Sequence, residues 1–272
     1  MIQRNDPLFN FENEIVVITG VSGQLGLQYA RAFLDRGARV AGLDIVDFDA
    51  RESLESTYSG RFSFVTCNVV SRESVEEALS QVKARLGVPT VLINNAAIDS
   101  PPGAPLSETG PFEEYPDASF DKVMDVNVKG VYMMCKVFGG VMAAHEKGSI
   151  INISSIYGVV SPDQGIYEYR RQKGEEFYKP VAYSVSKSAV MNMTRYLAAY
   201  WAKKKVRVNT LVIAGVFNHQ DDEFLDAYCG RIPIGRMADE SDYDGAVLFL
   251  ASAGSAYMTG ASLTVDGGWT SI

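Results

Sequence analysis

Histidine and cysteine are scarce in this 272-residue chain, at two and three residues. Cys67, Cys135 and Cys229 stand far apart and form no C-x-x-C pair. That argues against a disulfide framework or a zinc site and suits a reducing compartment. His145 and His219 lack metal-ligand spacing, so no metal is expected, and a Ser-His-Asp hydrolase would have to be built on one of them. Positive charge is also short: 25 Lys and Arg against 33 Asp and Glu leave a net charge of −8. Nucleic-acid and anionic-membrane binders carry a basic face, so neither partner is expected. No apolar run approaches the roughly 18 residues of a membrane span, and residues 1–7 lack the apolar stretch of a secretory leader. The expectation is a soluble, cytoplasmic protein.

What remains is ordinary globular material, 47% apolar and 21% charged. Short β-branched runs at 15–19, 39–43, 62–66, 91–93, 150–153, 206–211 and 262–265 each fit a strand buried on both faces. Amphipathic stretches at 24–36, 72–86, 120–144, 182–203 and 242–253 fit helices between them. This alternation predicts an α/β fold: a single Rossmann-type, doubly wound parallel sheet of about seven strands with helices on both faces. No composition shift marks a second domain, so residues 1–272 are read as one dinucleotide-binding and catalytic domain. Residues 156–179 mix Pro, Gly, Tyr and charge without periodicity. They read as a segment inserted at the carboxyl edge of the sheet, where ligands bind in such folds.

The first strand runs into Thr19-Gly20-Val21-Ser22-Gly23-Gln24-Leu25-Gly26, and a helix follows. Glycines there let the backbone turn tightly and approach a pyrophosphate, whose charge sits at the helix N-terminus. The second strand ends at Asp44, with Ile45 after it. A carboxylate there accepts hydrogen bonds from an adenosine ribose and repels a 2′-phosphate, which favours NAD over NADP. The plainer reading is that Asp44 caps the following turn.

Further along come Asn94-Asn95-Ala96-Ala97, Asp125-Val126-Asn127-Val128-Lys129-Gly130, Asn152-Ile153-Ser154-Ser155, Tyr183-Ser184-Val185-Ser186-Lys187 and Val265-Asp266-Gly267-Gly268-Trp269. In this order, the series resembles the short-chain dehydrogenase/reductase family from about Ile15 to Trp269. The resemblance implies Tyr183 as catalytic acid/base, Lys187 and Ser155 as its partners, and Asn127 as holder of a proton-relay water. Ser155 is preferred to Ser154 because it lies one step further past the strand. Cofactor contacts are implied at Gly20, Ser22, Gln24, Leu25, Gly26, Asp44, Ile45, Asn68, Val69, Asn95, Ala96 and Ala97, at Tyr183 and Lys187, and at Val216 and Asn218 beyond the sixth strand. The residue chemistry agrees. Tyr183 and Lys187 are i and i+4 and share one helix face, and an ammonium at ~4 Å favours a phenolate by about 4 kcal/mol at an effective dielectric of ~20.

The sequence also departs from the family pattern. Gln24 stands where compact members carry Gly or Ala, and Gly23 is expected to supply the missing backbone freedom. The usual Pro-Gly after the sixth strand is absent, and Asn218 is the expected replacement for a nicotinamide-binding threonine. The inserted segment is similar to that of members from bacterial surface-sugar, sialic-acid-like pathways. Its Arg170 or Arg171 is a candidate grip for an anionic substrate group, against the blander reading of a solvated mixed-charge loop.

The implied activity is NAD-dependent hydride transfer at an alcohol or ketone carbon of a sugar, polyol or sugar derivative. Alternatives are a 3-oxoacyl or steroid-type ketone reductase and a non-catalytic NAD-binding redox sensor. Helices 120–144 and 182–203 are apolar around much of their circumference, so a homo-dimer or homo-tetramer is expected. Replacing Asp44 with Ala should narrow the preference for NAD over NADP, read from kcat/KM with each; an unchanged ratio removes the assignment.

Overall fold

The computed structural model describes residues 8–100 and 105–272; residues 1–7, read above for a leader, lie outside them. Seven strands form one sheet in the order β3-β2-β1-β4-β5-β6-β7, every neighbouring pair parallel. They are β1 (Ile15–Thr19), β2 (Arg39–Asp44), β3 (Phe62–Thr66), β4 (Val91–Asn94), β5 (Gly148–Ser155), β6 (Val206–Ile213) and β7 (Ser262–Val265). The helices are α1 (Gln24–Leu34), α2 (Arg51–Thr57), α3 (Arg72–Arg85), α4 (117–144), α5 (Glu168–Gln172), α6 (Val181–Trp201), α7 (Asp222–Cys229) and α8 (Asp244–Ala251).

Alternation along the strands sends successive side chains to opposite faces. Val16 and Ile18 of β1, Val40 of β2 and Ile93 of β4 pack with Phe33 of α1 and Val247 of α8 in one core. Ile15 and Val17, Leu43 and Leu92 pack with Val75 of α3, Phe138 of α4 and Val190 of α6 in the other. The central strands are therefore buried on both faces, as the sequence predicts. The edges differ: β3 and β7 are only partly covered, because an edge strand lacks a neighbour on one side. Strands β5 and β6 run further than their apolar runs suggest, to Ser155 and Ile213.

Three helices lie outside the expected ones, α5 within the inserted segment and two others. Helix α2 is short and exposed over most of its length. Helix α7 starts where Asp221 accepts a hydrogen bond from Phe224 N at 2.8 Å, with Asp222 and Glu223 in the first turn where the helix dipole favours them. Helix α4 widens to π-type turns at Asp125–Gly130 and Cys135–Gly139.

A polar column crosses the core beneath the strand ends. Asn94 Nδ2 donates to Asn152 Oδ1 (2.8 Å), and Asn152 Nδ2 donates to Thr194 Oγ1 (2.8 Å). Thr210 Oγ1 joins at 2.9 Å. Asn152 is wholly buried, so removing it strands partners on both sides. Asn152→Ala should lower the unfolding free energy by about 2–4 kcal/mol, read from urea denaturation midpoints; a loss below ~1 kcal/mol would show that the column does not contribute as a network.

Candidate active site

The strand order reverses between β1 and β4, and a crevice opens there at the carboxyl ends of the strands. It holds a cleft of about 510 Å³ bordered by Gly20, Asp44 and Ile45, by Asn68 and Val69, and by Asn95, Ala96 and Ala97. Gly20 takes φ +68°, and a Cβ there would lie 2.9 Å from Ala96 Cα. Gly26 lies against the turn so closely that a Cβ would meet Gly20 O at 2.1 Å. Gly23, by contrast, has an ordinary φ of −78°, so the freedom expected of it is used at Gly20. Thr19 Oγ1 accepts from the Asn95 and Ala96 N–H groups, both at 3.0 Å, and Asn95 Nδ2 donates to Thr19 O at 3.0 Å. These bonds lock the ends of β1 and β4 together.

Asp44 does cap the turn after β2, accepting from Ile45 N at 2.7 Å. Its other oxygen takes Ser22 N–H at 3.1 Å, which places a carboxylate between the glycine turn and the cleft wall. Leu25 packs against the core. Gln24 reaches away, its amide donating to Phe217 O (3.0 Å) and Glu240 Oε2 (2.7 Å). Val216 pairs with Ala238, and Asn218 is exposed with its backbone N–H on Gln220. None of Gln24, Leu25, Val216 and Asn218 borders the 510 Å³ cleft.

Tyr183 and Lys187 stand one turn apart on α6, with Lys187 Nζ 5.5 Å from the Tyr183 ring centre. Lys187 is buried and donates from Nζ to Ile153 O at 3.0 Å. Burial pulls its amine down to about 8, opposed by the charge of Asp99. Burial pushes the Tyr183 phenol well above its ordinary value and Asp99 adds to this, while a hydrogen bond with Ser155 pulls the other way. Desolvation, not the acidification expected from Lys187, therefore dominates the phenol in the chain alone. Ser154 is spent elsewhere, donating from Oγ to Lys187 O at 2.9 Å; Ser155 is the serine that meets Tyr183.

Asn127 lies in the first π-type turn of α4. It accepts from Ile98 N and donates to Ile98 O, both at 2.8 Å, and donates to Ser186 Oγ at 3.0 Å. Ser186 Oγ in turn donates to Tyr183 O at 2.7 Å. A single side chain thus links the loop after β4 to the first turn of α6.

Residues 156–179 fold over this site, carrying short helical turns and the five-residue α5. Tyr157, Ile166 and Tyr167 join Tyr228 and Trp269 in an aromatic core beside Tyr183. Lys173 pairs with Glu223 of α7 at 2.6 Å, Tyr178 N donates to Thr109 O at 2.6 Å, and Lys179 pairs with Asp99. Neither candidate arginine is free for an anion. Arg171 donates to Gln164 O (2.7 Å), Phe177 O (2.8 Å) and Glu168 (2.9 Å), and Arg170 stacks 4.5 Å from the Phe177 ring centre. Sequence reasoning passed over Asp99, Tyr157 and Lys179. Their signal was the short distance to the motifs at Asn95, Ser155 and Tyr183, which carries no spacing rule of its own.

A family model described as enoyl-(acyl carrier protein) reductase matches residues 20–270. The chain is similar to a D-threitol dehydrogenase of Mycolicibacterium smegmatis, 30% identical over 96% of this chain and 95% of that one. Among solved structures, a short chain dehydrogenase of Leptospira borgpetersenii with bound NAD+ superposes with a TM-score of 0.84 at 32% identity, covering 99% and 97% of the two chains. A gluconate 5-dehydrogenase of Burkholderia cenocepacia in complex with NADP and tartrate gives 0.84 at 26% identity, covering 98% of each. Matched along nearly its whole length in sequence and in fold, the chain belongs to the short-chain dehydrogenase/reductase family.

Proposed function

We propose that this protein is an NAD-dependent oxidoreductase acting on the alcohol or ketone carbon of a polyol, sugar or sugar derivative. The observation that carries the reading is the placement of Tyr183 against Ser155 and over Lys187, in a fold whose switch-point cleft is bordered by Asp44. The similarity to a D-threitol dehydrogenase and a gluconate 5-dehydrogenase supports the substrate class.

A dinucleotide fits the residues present: the turn at Gly20 has no room for a Cβ, and Asp44 is poised for a ribose and against a 2′-phosphate. When bound, the nicotinamide supplies the hydride acceptor or donor. The chain's own residues handle the proton. In the reductive direction the protonated Tyr183 gives its proton to the substrate oxygen, and the Ser155 hydroxyl holds that oxygen in place. Lys187, its amine already lowered by burial, lies close enough to share charge with the phenolate as it forms. Both amide hydrogens of Asn127 are taken by Ile98 O and Ser186, so its side chain positions the loop after β4, and a relay water is left to its main-chain carbonyl.

Assembly as a homo-dimer or homo-tetramer belongs to the same proposal. It is supported by Tyr132 of α4 and by Val185, Tyr196 and Tyr200 of α6, all exposed. Cytoplasmic residence is supported by the free cysteines.

Tyr183→Phe should reduce kcat at least a thousandfold while NADH binding, followed by fluorescence, stays within about threefold; substantial residual turnover refutes the catalytic assignment. Lys187→Met should lose activity as well, with a distinctive pH signature in stability. Between about pH 8 and 10.5 the unfolded lysine still binds a proton that the folded one has shed, so wild-type stability climbs with pH there. The stability gap should move in favour of the wild type by up to about 3 kcal/mol across that window, read from urea midpoints; a pH-independent gap would show that Lys187 is not held in a desolvated site.

A further inference from the structure

Lys179, in the last turn of the inserted segment, is held unusually firmly for a lysine outside regular structure. Its N–H donates to Gln164 Oε1 at 2.8 Å, and its carbonyl accepts from Gln164 Nε2 at 3.3 Å. Its side chain is only 14% exposed, and Nζ lies 5.4 Å from the Tyr183 ring centre. The ammonium pairs with Asp99, five residues past the end of β4.

The carboxylate of Asp99 reaches the same place from the other side. Burial pushes up the phenols of Tyr183, Tyr157 and Tyr115, and the charge of Asp99 adds to this at each of them. The hydroxyls of Tyr157 and Tyr115 are buried and have no hydrogen-bond partner among the described residues. Tyr157 is 8% exposed. Tyr115, Tyr157 and Lys179 all border a cavity of about 830 Å³ that Ser184 and Val185 of α6 also line, and it is Lys179 that brings this cavity near the Tyr183 ring. A buried phenol without a partner costs free energy unless something supplies one.

We propose that Asp99, Lys179 and Tyr157 form a subsite for a hydroxyl on the carbon next to the reacting one, selecting vicinal diols over simple alcohols. The inference rests on the oxidoreductase reading above and names the substrate feature that this site recognises. An ammonium only donates and a carboxylate only accepts, whereas a hydroxyl does both. A second hydroxyl can therefore donate to Asp99 while accepting from Lys179 or Tyr157. A methylene in its place satisfies none of them and keeps water from doing so. Sites built to hydrogen-bond a substrate hydroxyl reject the analogue lacking it far more strongly than apolar pockets reject an extra one.

The test uses the whole chain with NAD and two probes of one carbon skeleton, 2,3-butanediol and 2-butanol. The wild type should prefer the diol at least a hundredfold in kcat/KM. Lys179→Met and Tyr157→Phe should each cut that preference about tenfold or more, chiefly through the KM of the diol. If the preference is unaltered because both probes lose alike, the pair only straps the inserted segment down and the proposal falls. Failure of the reaction assignment is separable, since Tyr183→Phe tests it alone. Should the chain turn over neither probe, equilibrium titration by tryptophan fluorescence still decides, because Trp269 contacts the Tyr157 ring. Tighter binding of the diol that weakens in Lys179→Met upholds the subsite, and equal affinities overturn it.

Discussion

The hydrogen bond from Lys187 Nζ to Ile153 O ties the carboxyl end of β5 to the first turns of α6. It holds an amine in a place where water does not reach, and the lowered affinity of that amine for its proton measures the strain. Ser154 completes the joint from the strand side by donating to Lys187 O. Gly158 makes the close approach possible, since a Cβ there would meet Ser154 Oγ at 2.6 Å and Lys187 C at 2.8 Å. With strand and helix pinned in this way, Ser155 and Tyr183 face each other across the same gap. The arrangement of Ser155 and Tyr183 thus follows from packing beneath them.

Desolvation acts on both members of the pair in opposite senses. It makes Lys187 easier to neutralise and Tyr183 harder to ionise, so the resting chain keeps its phenol protonated. Spacing alone names this opposition but does not weigh it, because i and i+4 fix only which groups are neighbours. The depth of the helix beneath the inserted segment decides which form of each group survives, and that depth is set by Tyr157, Tyr167, Tyr228 and Trp269 from three separate parts of the chain.

The same division runs through the whole comparison of sequence and structure. Strands buried on both faces announce themselves as apolar runs, and β1 and β3 end where those runs end. The alternation of cores is legible too, because Ile15 and Val17 must face opposite to Val16 and Ile18. Motif residues at strand ends, such as Asp44, Asn95 and Ser155, are located by the turn that follows them. Lys179 and Asp99 are not, because their meeting depends on how a 24-residue excursion folds back, through Gln164 and Thr109, onto a loop on the far side of α6. For Arg170 and Arg171 the blander reading is the better one: Glu168, backbone carbonyls and an aromatic ring hold them, and of these only Glu168 is visible in the charge pattern.

The reversal of strand order has a temporal side as well. Pairing of β1 with β4 joins Val16 to Val91, so the dinucleotide half of the molecule can close only after its first hundred residues are available, with the cost of a long loop to be met first. Most of what packs on Tyr183 from beyond the sheet comes later, from residues 156–179, α7 and the segment around Trp269. On the ribosome the residues of the glycine turn and of the loop after β4 therefore emerge before most of those that surround Tyr183.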